Sequence, residues 1–358
     1  MKIYDFLIIW WWASGLFAAC NLPKDSFKAI LERNEILWVK VLMSGWERAN
    51  FTNLYTDETK YVSKNPKAVI WFLHRFTQYD IINFFEEKWV AWKVEDNWRV
   101  ITASWHARDI LNTLVNTSRQ NNTQIFTKTL VKDIVKRNDL FEIVTSNWIY
   151  KAKNVIVSVG WKSYPQVGTV WFGYKIAKKI WLKVNTPYKW LVWALTKQDV
   201  SVFSGTTAFL RLNAYKNNKL IFSQEGNLLF THWWISGPVV YNMTLYDEEF
   251  DVFPNKFKIE LEFLSKDWKL QATKKLRKFF KLTEEKNKIY LDLRWLQSWS
   301  KAKVTAWWVD TNELTKYLES KKISGLFFIW EVVDITGHTW WFNLQRAWSS
   351  AYCMSEKF

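Results

Sequence analysis

The hydrophobic pattern at the start of the chain predicts a strand, a helix and a second strand. Residues 4–9 form a short apolar run, typical of a strand buried inside a parallel sheet. After a turn, residues 16–20 are apolar and helix-like. Residues 27–31 form a second apolar run that ends directly before Glu32. This order predicts a strand–turn–helix–strand unit whose second strand is closed by an acid.

The middle of the chain has a different pattern. Residues 208–263 contain short alternating runs, with turn signals at Asn217-Asn218 and Gly226-Asn227. Residues 269–282 have helical spacing with one cationic face, which we expect to be a solvated surface. The pattern therefore predicts an inserted β-rich region followed by a small basic helical portion.

The composition is anomalous in tryptophan and glycine. The chain has 358 residues with 27 Trp and 10 Gly, whereas average use of about 7% would give roughly 25 Gly. Trp89 and Trp181 follow two predicted helices, at the left-handed position that glycine normally fills. The Asn97-Trp98 and Asn147-Trp148 pairs stand where Asn-Gly is the usual hairpin turn. Many tryptophans therefore occupy positions at which the backbone favours glycine.

We interpret most of these tryptophans as glycine in the living cell. The simplest cause is a UGA codon, translated here as Trp, that the organism's own tRNA decodes as Gly. Trp233 and Trp348 are candidates for genuine tryptophan. The alternative is a truly Trp-rich protein that uses aromatic stacking or a membrane-interface belt. UGG codons at residues 10–12 would refute the glycine interpretation.

With glycine in place of tryptophan, the turn after the first strand becomes a G-x-G-x-x-G sequence. Its residues are Trp10, Trp11, Trp12, Ala13, Ser14 and Gly15. Such a turn brings bare backbone against a pyrophosphate, and the helix that follows presents free N–H groups to the phosphates. Glu32 is placed to accept hydrogen bonds from a ribose hydroxyl, and Arg33 beside it belongs to the same predicted site.

Charge and cysteine usage exclude several classes of protein. Lys and Arg number 50 against 34 Asp and Glu, and the net charge of +16 permits an acidic partner without requiring one. Two cysteines, Cys20 and Cys353, are too few to stabilise a secreted scaffold by disulfide bonds. With four scattered His they offer no zinc site, so we expect no metal and a cytoplasmic location. We also expect neither a membrane span nor an export signal, since Asp5 interrupts the charged start of the chain.

Six blocks along the chain carry a family resemblance when Trp is replaced by Gly. Residues 34–53 resemble G-x-K-x-x-x-S-G-G-G-R-C-N-x-T-N, although Glu47 and Ala49 replace its last Gly and its Cys, which removes a thiol from this loop. The others resemble ATGG-x-S-x-P, LLFTH-x-GISGP, VTAGGV, GLYFAGEVLD and GPTGGYNLQ, at residues 155–165, 228–238, 304–309, 325–334 and 337–345. Over nearly its whole length the chain thus resembles the BaiN/YhiN-like NAD(P)/FAD-dependent flavoproteins.

The resemblance implies FAD as the cofactor and adds residues to the predicted site. By family position, Lys40, Ser44, Gly45 and Arg48 should face phosphate or flavin, and Val131 should contact adenine. The remaining implied cofactor residues are Gly160, Trp330, Glu331, Asp334, Trp340, Trp341 and Asn343. His232 and His338 are the two candidate proton donors in the motif blocks. Because a His beside a turn more often has a structural role, the catalytic residue stays unknown.

The resemblance also implies an α/β architecture. A Rossmann-like three-layer FAD-binding domain is expected from residues 1–186 and 322–358. An inserted β-rich domain is expected at 187–260, with a small helical segment and the return to the FAD domain at 261–321.

The function predicted from the sequence is that of an FAD-dependent oxidoreductase. It would transfer two electrons as hydride through flavin N5, to or from a small organic substrate. Either NAD(P)H binds transiently as the reductant, or the substrate itself reduces the flavin. One alternative is a flavin enzyme that modifies RNA, motivated by the net charge of +16. The other is a basic, Trp-rich protein that binds nucleic acid or a membrane surface. Outside these alternatives, nucleic acid is not expected as a partner.

Overall fold

A computed structural model describes residues 2–10, 13–35, 50–95, 98–160, 172–185, 188–264, 271–283, 286–296, 304–306 and 309–358. Among the predicted site residues, Trp11, Trp12, Lys40, Ser44, Gly45 and Arg48 lie outside the described residues. The side chain of Trp340 lies outside them as well. The chain forms two compact units, residues 1–187 with 305–358, and residues 188–304.

The first unit contains both ends of the chain. Its strands are β1 (Ile3–Ile9), β2 (Lys28–Leu31), β3 (Asn50–Asn53), β4 (Tyr61–Val62), β5 (Trp92–Glu95), β6 (Arg99–Thr102), β7 (Thr123–Phe126), β8 (Val131–Arg137), β9 (Leu140–Thr145), β10 (Ile149–Val157), β19 (Leu326–Phe328) and β20 (Thr336–Gly337). Its helices are α1 (Ala13–Asn21), α2 (Pro66–Arg75), α3 (Gln78–Glu86), α4 (Ala107–Gln120), α5 (Phe172–Lys179) and α9 (Thr339–Ser355).

A mixed sheet forms the core of this unit. Within the described residues its strand order is β7-β2-β1-β10-β9-β8, and β19 pairs with the second half of β10. The pairs among β7, β2, β1, β10 and β19 are parallel, whereas β9 is antiparallel to β10 and to β8. Strand β1 is central, as its continuous apolar run predicts, and Leu7, Ile8 and Ile9 are fully buried. The predicted strand–helix–strand unit and the α/β class are confirmed.

The second unit is an antiparallel barrel. Its strands are β11 (Tyr188–Trp190), β12 (Ala194–Thr196), β13 (Thr207–Lys216), β14 (Lys219–Phe230), β15 (Ile235–Ser236), β16 (Phe257–Glu262) and β17 (Lys288–Leu296), and its helices are α6 (Pro238–Met243), α7 (Glu249–Val252) and α8 (Gln271–Phe280). In the part of the chain that the structure describes, the barrel closes in the order β12-β15-β14-β13-β16-β17. Strand β18 (Val304–Ala306) lies where the chain returns to the first unit.

The structure and the sequence divide the inserted region differently. The sequence-based boundary ends the β-rich part at residue 260, whereas the barrel extends through β17 and the chain returns at 305. The reason is packing: Leu261, Ile289 and Leu293 share the buried core of Leu210 and Leu228. Helix α8 therefore belongs to the barrel unit rather than to a separate segment.

Several tryptophans adopt the left-handed backbone region. Trp10, Trp89, Trp98, Trp105, Trp181 and Trp330 have φ between 59° and 70°, which is unusual for a bulky residue. Trp89 and Trp181 follow α3 and α5. In each case the next residue donates its N–H to the carbonyl five residues earlier, Val90 to Phe85 and Leu182 to Ala177, as in the glycine-terminated Schellman motif. The predicted left-handed helix ends are confirmed.

The prediction of an Asn147-Trp148 turn was wrong. Neither residue has a positive φ. The Thr145 N–H donates to the Trp148 carbonyl at 3.0 Å, so Ser146 and Asn147 are the central residues of the turn. The Thr145 hydroxyl oxygen accepts the Trp148 N–H at 2.9 Å. This side-chain bond holds a turn that needs no left-handed residue.

Candidate cofactor-binding site

Parallel strands of the first unit end at one edge of the sheet. Ile9 pairs with Leu31 on one side and with Val157 on the other, and Val157 pairs with Phe328. The residues that follow these strands are therefore neighbours, and Trp10 donates its N–H to the Leu31 carbonyl at 2.9 Å. In open α/β sheets ligands bind outside this carboxyl edge. The register thus brings Trp10, Glu32, Ser158 and Trp330 to the expected location.

The turn after β1 requires close backbone approach. A Cβ atom at Gly15 would lie 2.5 Å from the Trp10 carbonyl oxygen, so a residue with a side chain does not fit there. Ala13 and Ser14 are fully buried, and the Ser14 hydroxyl lies 2.7 Å from that of Ser158 after β10. The first turn of α1 is thereby fixed against the sheet edge. Because a helix N-terminus presents N–H groups, the start of α1 is suited to a phosphate.

Glu32 and its neighbours form the second wall of the site. Glu32 is 4% exposed, and its Oε1 accepts the N–H of Asn34 at 2.7 Å. The Glu32 carbonyl accepts the N–H of Thr129 at 2.7 Å. This bond ties the end of β2 to the segment that leads into β8, where Val131 is buried. Arg33 is partly exposed beside them. The structure therefore places Glu32 and Arg33 beside the segment that leads to Val131, and the contacts of these residues with a cofactor stay a prediction.

The segment after β19 adds a buried carboxylate. Asp334 is 1% exposed, and its Oδ2 accepts hydrogen bonds from the Lys64 N–H at 3.3 Å and from Asn185 Nδ2 at 3.2 Å. Its Oδ1 is buried with no hydrogen-bond partner. Burial raises the pKa of Asp334 to about 6. Glu331 and Trp330 are buried in the same segment, and Gly160 is buried after β10.

Hydrogen bonds of the Asn343 side chain hold the backbone at the start of α9. Asn343 Oδ1 accepts the Gly337 N–H at 3.1 Å, and its Nδ2 donates to the carbonyls of Gly337 and Thr339 at 2.8 and 2.6 Å. Asn343 thus supports the backbone turn that begins the helix. The Trp341 indole Nε1 is buried and has no hydrogen-bond partner. The Asn343 amide therefore determines the local shape by holding the turn, since its oxygen and nitrogen both bond to the backbone.

The two candidate histidines lie in different units. His338 is 5% exposed at the start of α9, and burial lowers its pKa to about 4. It is therefore neutral at pH 7, and its backbone N–H donates to the Lys60 carbonyl at 2.7 Å. His232 is exposed between β14 and β15 of the barrel unit. Their catalytic roles remain predictions.

Arg346 is not part of any motif in the sequence, and the structure places it beside Trp330. It lies in α9, is 3% exposed, and none of its three guanidinium nitrogens has a hydrogen-bond partner. Its guanidinium carbon lies 5.4 Å from the centre of the Trp330 ring. Burial lowers the pKa of Arg346 to about 10, although Glu331, Tyr61 and Asp334 oppose this effect. No local sequence pattern separates it from an ordinary helix arginine.

The backbone fits a dinucleotide, and two side chains do not. The turn at Gly15, the buried Glu32 and the start of α1 are the elements that hold a pyrophosphate and a ribose. However, the indoles of Trp10 and Trp330 are 3% and 1% exposed at the same edge, and neither indole N–H has a hydrogen-bond partner. Bulky rings thus stand where bare backbone is required.

Other classes of site are not found in the described residues. In the described ranges, no group of three or more His, Cys, Asp and Glu side chains is arranged to bind a metal ion. Burial raises the pKa of each thiol, Cys20 and Cys353, to about 12, so neither is a thiolate at neutral pH. None of the helices that the structure describes is long and apolar enough to cross a membrane.

The chain is similar to known proteins over nearly its whole length. Residues 4–357 match the family described as HI0933-like protein Rossmann domain. The ribosomal RNA dihydrouridine synthase of Escherichia coli (strain K12) is 28% identical, with 99% of this chain and 98% of that protein aligned. The protein of the same name from Haemophilus influenzae is 29% identical, with 95% and 94% aligned. The 3-dehydro-bile acid delta(4,6)-reductase of Clostridium scindens is 22% identical, with 95% of each aligned.

A solved structure shows that the fold is shared. The 3-ketosteroid-delta4-(5alpha)-dehydrogenase from Rhodococcus jostii RHA1 superposes with a TM-score of 0.54 at 8% identity. The match covers 99% of this chain and 96% of that one. At this identity the likeness shows a shared fold alone.

Proposed function

We propose, from the premise that this chain belongs to the HI0933-like Rossmann family of FAD-dependent oxidoreductases, that its substrate is ribosomal RNA. The reaction is the reduction of uridine to dihydrouridine. The observation that carries this proposal is the full-length similarity to two proteins named ribosomal RNA dihydrouridine synthase, at 28% and 29% identity. A ribosomal substrate also favours the cytoplasm as the location.

The chemistry required is a net addition of two hydrogens. Saturating the 5,6 double bond of uracil consumes a hydride and a proton, and the base loses its aromatic character. FAD, when bound, would supply the electron pair, and NAD(P)H is the reductant that we propose to restore it. Glu32 and the turn at Gly15 are the residues proposed to hold the adenosine and pyrophosphate parts.

The charge of the protein supports an RNA substrate. The net charge of +16 favours association with a polyanion. In the barrel unit, α8 and the residue after it line a cleft of about 430 Å³ with Lys274, Arg277, Lys278 and Lys281. The three lysines are exposed. We propose this cationic cleft as a surface that contacts phosphate groups.

Purified protein from its own cells provides the direct test. It is incubated with NAD(P)H and with ribosomal RNA transcribed in vitro, which lacks modified bases. We expect nucleoside mass spectrometry of the digested RNA to show uridines that have gained two hydrogens. If flavin is reduced by NAD(P)H but no dihydrouridine forms on any ribosomal RNA, the proposed substrate is wrong.

The cleft is tested with charge-matched variants. Changing Lys274, Lys278 and Lys281 to Glu should weaken RNA binding and lower the slope of log affinity against log salt by roughly two to three. The control changes three exposed lysines of the first unit, Lys24, Lys67 and Lys132, to Glu and carries the same net charge. Equal losses in both variants would mean that total charge, and not the cleft, controls binding.

A second candidate substrate is a small unsaturated molecule. The 22% identical relative is named as a reductase of a bile acid. Incubation of the same protein preparation with steroid enones distinguishes the two. Rapid turnover of an enone together with no change in RNA would favour this candidate.

A further inference from the structure

At the carboxyl edge of the sheet, two tryptophans have a backbone conformation that bulky residues disfavour. Trp10 follows β1 and Trp330 follows β19, with φ of 65° and 70°. Both indoles are buried, and both indole N–H groups lack a hydrogen-bond partner. Left-handed φ is natural for glycine and unfavourable for a bulky residue. The backbone at both positions therefore suits a residue that has no side chain.

We propose that the functional form of this protein carries glycine at Trp10 and Trp330, and that the absence of these indoles opens the crevice in which FAD binds. The same substitution applies at the other left-handed tryptophans. They are Trp89, Trp98, Trp105 and Trp181. The cause is a codon translated here as Trp that the protein's own cell decodes as Gly. The cofactor part of this proposal rests on the FAD-dependent function, whereas the residue identities do not.

Other tryptophans occupy sites that are built for an indole. Trp348 lies inside α9, is fully buried, and donates its Nε1–H to the Phe51 carbonyl at 2.8 Å. Trp71 lies inside α2 and donates to the Lys316 carbonyl at 3.2 Å. Neither has a positive φ. The backbone thus separates Trp71 and Trp348 from the left-handed tryptophans, and we assign these two as genuine.

Arg346 is independent support for a ligand in this crevice. A buried guanidinium without hydrogen bonds is costly, so a protein retains one only where something compensates the charge. Its guanidinium lies over the Trp330 ring, and none of its three nitrogens has a hydrogen-bond partner, although Glu331, Tyr61 and Asp334 act on its charge. With glycine at 330, the group that takes the place of the indole can accept hydrogen bonds from Arg346. An oxygen-rich dinucleotide is such a group.

The residue identities are tested on protein purified from its own cells. Tandem mass spectrometry of its peptides should show Gly at 10, 89, 98, 105, 181 and 330, and Trp at 71 and 348. Trp at position 10 or 330 in that protein would overturn the proposal.

The opening of the crevice is tested with recombinant chains. Trp10→Gly combined with Trp330→Gly should raise FAD affinity by about a hundredfold or more over the unchanged chain, which must first expel two buried rings. The matched control is Trp89→Gly with Trp181→Gly, which removes two left-handed but exposed indoles, 95% and 84% exposed. Its FAD affinity should equal that of the unchanged chain. Equal gains in both double variants would contradict the proposed crevice.

The two experiments separate this inference from the proposed function. Gly at 10 and 330 in the native protein, without FAD binding by any form, would leave the residue assignment intact and refute the flavin function. Trp at these positions in a native protein that carries FAD would refute the assignment and leave the function intact.

Discussion

The carbonyl oxygen of Trp10 lies 2.5 Å from the position that a Cβ atom on Gly15 would occupy. No Cβ tolerates such a distance, and the obstacle is backbone, which cannot rotate away as a side chain can. The tight turn between β1 and α1 therefore depends on glycine at 15. This contact is the clearest physical reason for the strand–turn–helix arrangement at the proposed cofactor site.

We expect Gly15→Ala to destabilise the fold by about 1–3 kcal/mol, since the extra methyl group must displace either the Trp10 carbonyl or α1. Thermal unfolding monitored by circular dichroism measures this. Gly205→Ala is the control, because Gly205 has φ of 80° and no atom within 4 Å of its Cβ position. Gly205→Ala therefore introduces backbone strain without a steric clash. A stable Gly15→Ala protein with an unchanged melting temperature would contradict the close approach.

Removing the exposed left-handed indoles should stabilise the chain. Trp89→Gly and Trp181→Gly each relieve an unfavourable φ at a helix end, and we expect a gain of about 0.5–1 kcal/mol apiece. Calorimetry of each single variant checks this. Trp148 is 73% exposed but has no positive φ, so Trp148→Gly should give no gain or a small loss. A gain of the same size at 148 would show that loss of an exposed indole, and not φ, is the cause.

Asp334 should make stability depend on pH. Its folded pKa of about 6 lies above the unfolded value of about 4, so the folded state holds the proton more tightly. This contribution is fully present below pH 4 and is lost as the pH rises through 6, on the order of 2–3 kcal/mol in total. Asp334→Asn should remove this loss. Urea unfolding of both proteins at intervals from pH 4 to 7 measures the difference.

His338 acts in the opposite direction and must be separated from Asp334. Its folded pKa of about 4 lies below the ordinary value, so the stability it contributes is present above about 6.5 and is lost as the pH falls through 4. His338→Gln should therefore flatten the acid side of the profile. For Asp334, the contradicting outcome is that the free energy of unfolding changes with pH in the same way in the original chain and in Asp334→Asn. That outcome would mean that Asp334 is already ionised in the folded state.

Arg346 should affect stability and cofactor affinity with opposite signs. In the chain without FAD, Arg346→Met replaces a buried guanidinium that has no hydrogen-bond partner by an apolar side chain, and we expect a gain of about 1–3 kcal/mol. In the chain with Trp10→Gly and Trp330→Gly, the same change should weaken FAD binding by about tenfold or more, through loss of charged hydrogen bonds. Melting curves and quenching of FAD fluorescence measure the two effects. Loss of both stability and affinity would indicate a purely structural arginine.

The sequence alone determined the elements that depend on neighbouring residues. The apolar run of β1, the turn that ends at Gly15 and the acid after β2 follow from local periodicity and from the limited φ of residues with a side chain. The left-handed helix ends at Trp89 and Trp181 follow for the same reason. At residue 148 this reasoning failed, because the Thr145 hydroxyl supports a different turn.

Only the tertiary structure decided which distant residues share an environment. The parallel register sets Trp10 and Trp330 at one edge although 320 positions separate them in the chain. It also buries Arg346 without hydrogen-bond partners, raises the pKa of Asp334, and commits the Asn343 amide to the turn at Gly337. These properties arise from desolvation and from pairing between segments, and neither is encoded within one short stretch of sequence. The strand pattern could therefore predict where the site lies, while the packing around it specified which side chains are buried there.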